Sequence, residues 1–439
     1  MGRRMVCLCT VDAGEEEKMM RFIVLAAACA FAACAAQPLL NLDELIAEAL
    51  RANPEILAAQ KRYEAARQRP GMESALPDPM LSVGYTSAGK PWPLAGVGTE
   101  PTANAGLMLS QEFPFPGKRK LRGDVADKMA EAEWLTYEQT RLSVVSRLKQ
   151  AYHRLHHAHQ MLEILSRNRD LFAEYLRVAE ARYSVGKAVQ QDIFKAQTAR
   201  SILETRILKM EQERRGREAE INTLLARDPR NPLGSPPEIP AGTLAVPLDE
   251  LFRRAQASPA LEREQKMIER TELAVNLARK DYYPDYTLSA GYFNMGRMPD
   301  MYQFRVDFKL PAWFRRKQHA GVTEQVMNLS QARRNWEATD QALHYRIREE
   351  YLMAETSERL MRMYADTVLP QARLALDSSL ASYENGAVDF LTVLNNFTAR
   401  LDYEVNYHEE MLSFHLALVR LEELTAGKAF RALTMAAQK

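Results

Sequence analysis

An internal duplication constrains this sequence more than any other feature. The stretch "PDPMLSVGY", which begins at Pro77, returns as "PDYTLSAGY" from Pro284, 207 residues later. Other landmarks recur in the same order: "LDEL" at Leu42 and Leu248, "PFPGKRK" and "PAWFRRK", and "RYSVGKAVQQDIFKAQTAR" and "SYENGAVDFLTVLNNFTAR". Recurrence of this kind indicates that one structural unit is built twice. The sequence therefore predicts two tandem repeats, each containing a helix, two strands, a very long helix and a return helix.

The repeats also suggest the domain boundaries. Residues 228–247 contain six prolines and two glycines, a composition that prevents regular structure, so they are predicted to form a linker. The other predicted divisions are residues 1–34 for an upstream extension and signal peptide, 35–227 and 248–427 for the repeats, and 428–439 for a C-terminal tail. Strands are expected at about 78–88, 104–113, 285–294 and 302–310, and helical hairpin tips near 183–192 and 383–392.

The predicted helices are unusually long. No proline and only one interior glycine occur between Lys118 and Tyr183, so this segment can form one helix of roughly 100 Å at about 1.5 Å per residue. Gly186 and Gly386 lie where the long helices are expected to reverse, a position that favours a residue able to adopt positive φ. The sequence therefore predicts antiparallel helical hairpins with exposed tips.

The fourth predicted strand alternates strictly between apolar and polar residues. Its apolar positions are Tyr302, Phe304, Val306, Phe308 and Leu310. Strands of about ten residues with one apolar and one polar face are typical of transmembrane barrels, although alternation alone fits a half-buried sheet as well. The predicted helices are too long for a globular domain and offer no core that could cover the apolar strand faces. This favours contact of those faces with lipid. Because four strands cannot close a barrel, several chains are expected to combine.

The N-terminal segment resembles an export signal. An apolar run, "FIVLAAACAFAAC", has the length of a signal h-region and is too short to span a bilayer. It ends at Cys34 after small residues, as in a bacterial lipobox, and the alternative is ordinary cleavage after Ala35 or Ala36. All four cysteines, which are Cys7, Cys9, Cys29 and Cys34, precede the first predicted amphipathic helix. We therefore expect an exported protein with a lipid attached at Cys34.

Composition and motifs argue against several other functions. The chain has 439 residues, 46% of them hydrophobic, and a net charge of +1, which gives no indication of a nucleic-acid partner. It contains no glycine-rich phosphate loop and no nucleophile elbow, so an enzyme is not expected. A periplasmic coiled-coil scaffold would share the long helices, and extraction without detergent would distinguish it from a barrel.

Two motifs raise the possibility of a metal site. His153 and His157 are four residues apart on one predicted helical face, a spacing that can bind zinc, but the polar surroundings favour a solvated face. Met295, Met298 and Met301 could offer soft ligands to copper, but their place between two strands favours a loop with apolar anchors. Neither motif predicts a cofactor or a metal site.

Taken together, the repeats resemble the TolC family of outer-membrane efflux proteins from Leu42 to Gly427. The segments "LPDPMLSVGY" and "QEFPFPGKRKLR" are similar to its heavy-metal branch. The resemblance implies a mainly α protein with a membrane part: a homotrimer whose twelve-stranded β-barrel continues as a periplasmic α-helical barrel. It also implies a periplasmic adaptor, which is a membrane fusion protein, and an inner-membrane pump of the resistance-nodulation-division type.

The resemblance carries over to the hairpin tips unevenly. The family's Tyr-x-x-Gly pattern occurs as Tyr183 with Gly186 and as Tyr383 with Gly386, which implies adaptor docking there. Asp192 matches an aspartate that narrows the pore entrance in the family, although an aspartate at a helix start can also simply stabilise the helix dipole. In the second hairpin, three family positions for an arginine and two aspartates hold other residues, and an aspartate is displaced toward the tip. These residues are Val388, Thr392, Asn395 and the displaced Asp389.

The expected function is therefore that of a passive exit duct in the outer membrane. The duct would release metal cations or small toxic compounds that a pump delivers through the adaptor. A duct for type I protein secretion is an alternative within the same class, because the channel itself need not contact its cargo specifically.

Overall fold

A computed structural model describes residues 40–186 and 189–426. The predicted signal peptide, the proposed lipid site at Cys34 and the predicted tail lie outside these residues. Ten helices are described: α1 Leu42–Ala52, α2 Pro54–Ala66, α3 Arg69–Ser74, α4 Lys118–Ser184, α5 Gln190–Leu224, α6 Leu248–Ala255, α7 Pro259–Lys280, α8 Lys317–Met363, α9 Leu369–Glu384 and α10 Phe390–Leu424. None of these helices is long and apolar enough to cross a membrane.

The strands form one antiparallel sheet in the order β1-β2-β3-β4. They span Met80–Thr86, Asn104–Phe113, Asp285–Asn294 and Met301–Lys309. β1 and β2 come from the first repeat and β3 and β4 from the second, so the central β2–β3 pairing joins the two repeats. Within the described residues, the outer edges of β1 and β4 have no strand partner. The sheet of one chain is therefore open on both sides.

The helices pack side by side instead of around a central core. α4 lies along α5 and α7, and α8 lies along α7 and α10. Buried residues follow the seams between these helices, and the largest buried cluster includes Phe172, Leu176, Leu203, Phe390 and Phe397. Because each helix buries only a narrow stripe, most of its surface stays available to solvent or to other chains. This arrangement confirms the predicted mainly α fold with two repeats of helix, strands and long helices.

The two longest helical rods differ in continuity. α4 runs for 67 residues without interruption and starts after Gly117, whose φ of 91° only glycine adopts easily. In the second repeat, the π-helical turn Tyr364–Val368 separates α8 from α9. Pro370 lies at the start of α9, where its missing N–H would otherwise interrupt an α-helix, and the extra residue of a π turn accommodates such a break. The second rod therefore contains a π turn, whereas the first rod is one continuous α-helix.

The linker between the repeats is anchored by histidines that the sequence interpretation placed in solvent. That interpretation was wrong: His156 and His157 are buried, and the ring of His153 stacks on that of His415 at 4.9 Å. Nε2 of His156 accepts a hydrogen bond from the N–H of Ile239 in the linker. The linker contacts His156 across 83 residues and α10 lies against His153, and helical periodicity reveals neither of these distant contacts.

Candidate functional site

The first tip lies between α4 and α5. Gly186 follows α4 with a φ of 74°, and its N–H donates to the carbonyl of Tyr183 at 2.9 Å. Tyr183 is 42% exposed, and the apolar residues Val185 and Val189 beside it are more exposed still. Burying such apolar side chains against a partner is favourable. The first tip therefore offers an apolar surface that has no partner within the described part of the chain.

The second tip repeats the backbone of the first but not its side-chain environment. Gly386 has a φ of 76°, and its N–H donates to the carbonyl of Tyr383 at 2.9 Å. However, Tyr383 is only 5% exposed, and its ring packs on that of Phe390 with centroids 5.7 Å apart. The two tyrosines of the shared Tyr-x-x-Gly pattern thus lie in opposite environments.

Arg182 contributes to this difference, and no motif in the sequence indicates its role. Its Nη1 donates to the carbonyls of Tyr383 and Glu384 at 2.5 and 2.9 Å, and its guanidinium lies 4.6 Å from the centre of the Tyr383 ring. These carbonyls end α9, where backbone acceptors lack partners inside the helix and positive charge is favourable. Arg182 therefore ties the first tip to the second, and the serine at its counterpart, Ser382, cannot reciprocate.

Asp192 acts on the same tyrosine. It lies half-buried in the first turn of α5, and no side chain caps the N-terminus of this helix. Burial raises the pKa of the Tyr383 phenol; the Arg182 charge opposes this, and the Asp192 carboxylate adds to it. The buried Tyr383 hydroxyl has no hydrogen-bond partner among the described residues. The tip thus brings Arg182, Asp192 and Tyr383 together across the two hairpins.

The predicted pore-entrance residues of the second hairpin have ordinary structural contacts. Asp389 is the N-cap of α10: its Oδ1 accepts from the Thr392 N–H at 3.0 Å and from the Thr392 hydroxyl at 2.5 Å, and both bonds hold its pKa below the usual value. Asn395 is exposed in a groove between α5 and α10 that the exposed side chains of Phe194 and Ile202 also line. Val388 packs against the buried cluster of the tip. Their role at a pore entrance stays a prediction.

The predicted lipid-facing residues are all exposed in the single chain. Phe304 is 86% exposed, and Tyr302, Val306, Phe308 and Leu310 are exposed as well, although Leu310 lies just beyond the end of β4. The strand register places the apolar positions of all four strands on one face, with rows such as Leu81, Leu109, Ala290 and Phe304. The opposite face carries Ser110 and Ser289, whose hydroxyls are 3.0 Å apart, and the ion pair of Arg305 with Asp307.

A buried lysine joins the sheet to the helices. Lys118, at the start of α4, is 3% exposed and lies 2.9 Å from Asp285 and 3.3 Å from Asp281. Next to it, the rings of Phe115 and Tyr283 stack at 4.5 Å. Since a buried ammonium is unfavourable without such partners, the pairing fixes the end of β2 against the beginning of β3. The first repeat is thereby connected to the second at the base of the sheet.

Comparisons with known proteins give a consistent result. Residues 45–227 match the sequence model of the outer membrane efflux protein family. Among solved structures, CusC is similar with a TM-score of 0.76 and 15% identity, over 89% of this chain and 92% of that chain. The outer membrane protein VceC of Vibrio cholerae has a TM-score of 0.74 and 18% identity, over 88% and 96%. The MtrE outer membrane channel of Neisseria gonorrhoeae, in its open state, has a TM-score of 0.69 and 15% identity, over 88% and 89%.

A search of curated proteins finds no matching relative. The similar structures are channels, and at these identities they establish the fold of the chain and not its cargo. The family match covers the first repeat, and the shared fold covers both repeats. The chain is therefore similar to outer membrane efflux proteins over its first repeat and has the fold of the outer-membrane channels over both repeats.

Proposed function

We propose that three copies of this chain form the outer-membrane exit duct of a tripartite efflux system. One observation carries the proposal: the chain holds an open four-stranded sheet with one exposed apolar face, attached to a helical rod of 67 residues. Such a sheet cannot remain in lipid with unpaired edges, whereas three copies supply twelve strands and leave no edge. The rods then continue the barrel into the periplasm.

The tips are the proposed docking site for the periplasmic adaptor. Tyr183, Val185 and Val189 form an exposed apolar surface at the end of the rod that lies farthest from the sheet. An adaptor that covers this surface would connect the duct to an inner-membrane pump of the resistance-nodulation-division type. The resemblance to the heavy-metal branch favours metal cations as cargo, with small toxic compounds as the second class.

The test of this function uses the purified protein and a strain that lacks its gene. The protein should form trimers in detergent and conduct ions in planar bilayers, and the deletion strain should become sensitive to metal salts or to dyes and detergents. Restored resistance to metals alone would identify metal cations as the cargo. Loss of a secreted protein without any change in resistance would support the type I secretion alternative. Release of the protein from membranes by carbonate would instead support a periplasmic scaffold.

Attachment of a lipid at Cys34 is a separate part of the proposal, and it rests on the sequence "FAAC". Labelled palmitate should enter the wild-type protein and not the Cys34→Ser variant. N-terminal sequencing that finds a free Ala36 or Gln37 at the start of the mature protein would contradict lipidation.

A further inference from the structure

The two β-hairpins have equivalent registers. Each β1 residue corresponds to a β3 residue 207 positions later, and each β2 residue to a β4 residue 197 positions later, as the prolines before and after the strands show. Leu81 pairs with Leu109 in the first hairpin. Their counterparts, Leu288 and Val306, pair in the second. The sequence repeat is therefore also a repeat of the hydrogen-bonded ladder, residue for residue.

The central β2–β3 pairing has no counterpart within the chain. Leu107 pairs with Tyr292, and Ser110 pairs with Ser289. The counterpart of β2 is β4 and that of β3 is β1, and both of these lie at open edges among the described residues. If the same pairing is applied between chains, it joins β4 of one copy to β1 of the next. A head-to-tail contact of this kind generates a closed ring when the rotation between copies closes, as it would in a trimer.

We propose that β4 pairs with β1 of a neighbouring copy in the register that β2 and β3 already use. This inference rests on the proposed trimer and adds its residue-level register. It places Phe304 opposite Tyr85, Val306 opposite Val83 and Phe308 opposite Leu81 of the neighbour. On the other face, Asp307 lies opposite Ser82. These three apolar side chains of β4 thus meet apolar side chains, and Tyr302 lies opposite Ser87, just beyond the end of β1. A slip by one residue would turn the three apolar side chains to the polar face.

The base of the sheet supports the same register through charge. Lys118 pairs with Asp285 inside the chain. Their counterparts under the two offsets are Arg315 and Asp78. Both are exposed, and neither makes an ion pair within residues 40–186 and 189–426. The second partner of Lys118, Asp281, has Ser74 as its counterpart, so the contact between copies uses one carboxylate where the internal contact uses two.

Arg315 is held in position for this contact by its own backbone. The carbonyl of Trp313 accepts from the N–H groups of Arg316 and Lys317, and that of Phe314 accepts from the N–H of His319. The segment is therefore an ordered turn, and the Arg315 guanidinium lies 5.9 Å from the centre of the Phe314 ring. An arginine can bind a carboxylate through two parallel hydrogen bonds, which suits a contact that must define the register.

Cysteine cross-linking tests the register. In one chain, β1 and β4 are three strand spacings apart, about 14 Å, which is too far for a disulfide, so any link between them joins two copies. The double variant Asp307→Cys, Ser82→Cys should give covalent trimers on oxidation that reduction converts to monomers. The matched control is Asp307→Cys, Thr86→Cys, four residues along the same face, which should give few links. Each single variant measures the contribution of the native cysteines.

A charge exchange tests the ion pair. Arg315→Asp and Asp78→Arg should each lower the temperature at which the trimer dissociates in SDS, and the double variant should recover most of that loss. Lys317→Asp is the control, because its counterpart Lys120 makes no ion pair in the described residues. Equal losses for Arg315→Asp and Lys317→Asp, without recovery in the double variant, would overturn the ion pair. A loss that depends on the anionic phospholipid content of vesicles would instead assign Arg315 to lipid headgroups.

The outcomes separate this inference from the proposed function. If wild-type trimers conduct ions but the Thr86→Cys control links better than Ser82→Cys, the register is wrong and the duct stands. If the wild-type protein forms neither trimers nor conducting channels, the proposed function fails and the register fails with it. Covalent trimers from the Ser82→Cys pair, together with recovery in the charge exchange, would support both.

Discussion

The two repeats are nearly interchangeable in the sheet and clearly different at the tips. In the sheet, corresponding residues pair with corresponding residues, as Leu81 with Leu109 and Leu288 with Val306. At the tips, Tyr183 is exposed and Tyr383 is buried, although both glycines that follow have the same backbone conformation. Arg182 contributes to the difference because it binds the second tip, whereas Ser382 cannot bind the first.

This difference follows from what holds each region together. Backbone hydrogen bonds between strands stabilise a sheet, and a strand that changes register moves all of its side chains at once. A register change in one hairpin therefore requires a matching change in the strands that pair with it. A helical tip is held by a few side chains, and one substitution can change its environment without disturbing the rods. The repeats have therefore kept a common ladder and separate tips.

The largest expected effect is a pH dependence of stability that arises at the linker. One histidine from each repeat contacts this linker. Burial, reinforced by neighbouring histidines, lowers the pKa of His156 to about 4. Burial also lowers the pKa of His415 to about 4, although its hydrogen bond with the backbone carbonyl of Pro240 opposes this shift. The unfolded chain then binds protons below about pH 6.5 that the folded chain does not. The contribution of these histidines to stability should therefore fall as the pH drops from about 6.5 to 4, by up to about 3 kcal/mol for each histidine, and that contribution should change little at lower pH.

Hydrogen exchange at the Ile239 amide measures this effect locally. A protonated His156 cannot accept the Ile239 N–H, so protection of this amide should decrease between pH 7 and 4.5 after correction for the intrinsic exchange rate. The His156→Gln variant keeps an acceptor that does not titrate, and its protection should depend less on pH. The Leu40 amide, which donates to the carbonyl of Ser235, serves as a reference without a histidine acceptor. Identical pH profiles for wild type and variant would contradict the prediction.

Lysine substitutions on the apolar face should have the next largest effect, and they test whether the two repeats are equivalent in the sheet. Phe304 and Leu107 are counterparts on the apolar face. If both face lipid near the middle of the bilayer, replacing either with lysine should lower the stability of the trimer by about 2–4 kcal/mol, and by similar amounts. Gln303→Lys, on the polar face, should have little effect. Equal losses at Gln303 and Phe304 in heat-modified trimers would mean that this strand does not face lipid.

The sequence predicted the features that depend on periodicity. The absence of proline predicts one helix from Lys118 to Tyr183, and the observed helix has 67 residues and ends one residue later; alternation and a repeated "PD" motif predict the strands. The repeat also predicted that both hairpin tips would contain glycines with positive φ, and both do. These features are local or recur at a fixed spacing, so one sequence is sufficient to find them.

Features that depend on distant contacts could not be found in this way. The histidines of α4 are interpreted as solvated because nothing in their own helix indicates that the linker contacts His156 and that α10 packs on His153. Arg182 reaches residues 201 positions away, and only its alignment with Ser382 could have drawn attention to it. Lys118 was visible within "PFPGKRK", but its burial follows from the carboxylates of the other repeat.

Substitution of the tip glycines should have an intermediate effect. Replacing Gly186 or Gly386 with valine forces a β-branched residue into positive φ, which costs about 1–3 kcal/mol in the turn. Trimers should still assemble because the turns are far from the sheet, while cross-linking to the adaptor and resistance should be lost. Gly386→Asn is the control, since asparagine tolerates this conformation better. Failure of trimer assembly in the valine variants would show that the tips also support assembly.

A smaller effect is expected from removing the contact that distinguishes the tips. Arg182→Ala removes both hydrogen bonds to the end of α9, and we expect a local loss of about 1.5 kcal/mol. Hydrogen exchange at the Gly386 and Ala387 amides should become faster, while exchange at the first tip should not change. Ser382→Ala, at the counterpart position, should leave both tips as they are. Faster exchange at both tips would indicate that Arg182 supports α4 itself instead of joining the hairpins.

The smallest structural effect is expected at Asp192, where function and helix stability can be separated. Three copies of this aspartate around a trimer axis would place like charges in a narrow entrance, where a hard divalent cation could bind and block the channel. Asp389 provides the matched comparison because its carboxylate is already occupied as the N-cap of α10. In planar bilayers, block by magnesium from the periplasmic side should weaken in Asp192→Asn and persist in Asp389→Asn. Asp389→Asn should instead change the exchange of the Thr392 amide. If Asp192→Asn leaves the block unchanged and lowers the melting temperature, Asp192 only stabilises the first turn of α5 through the helix dipole.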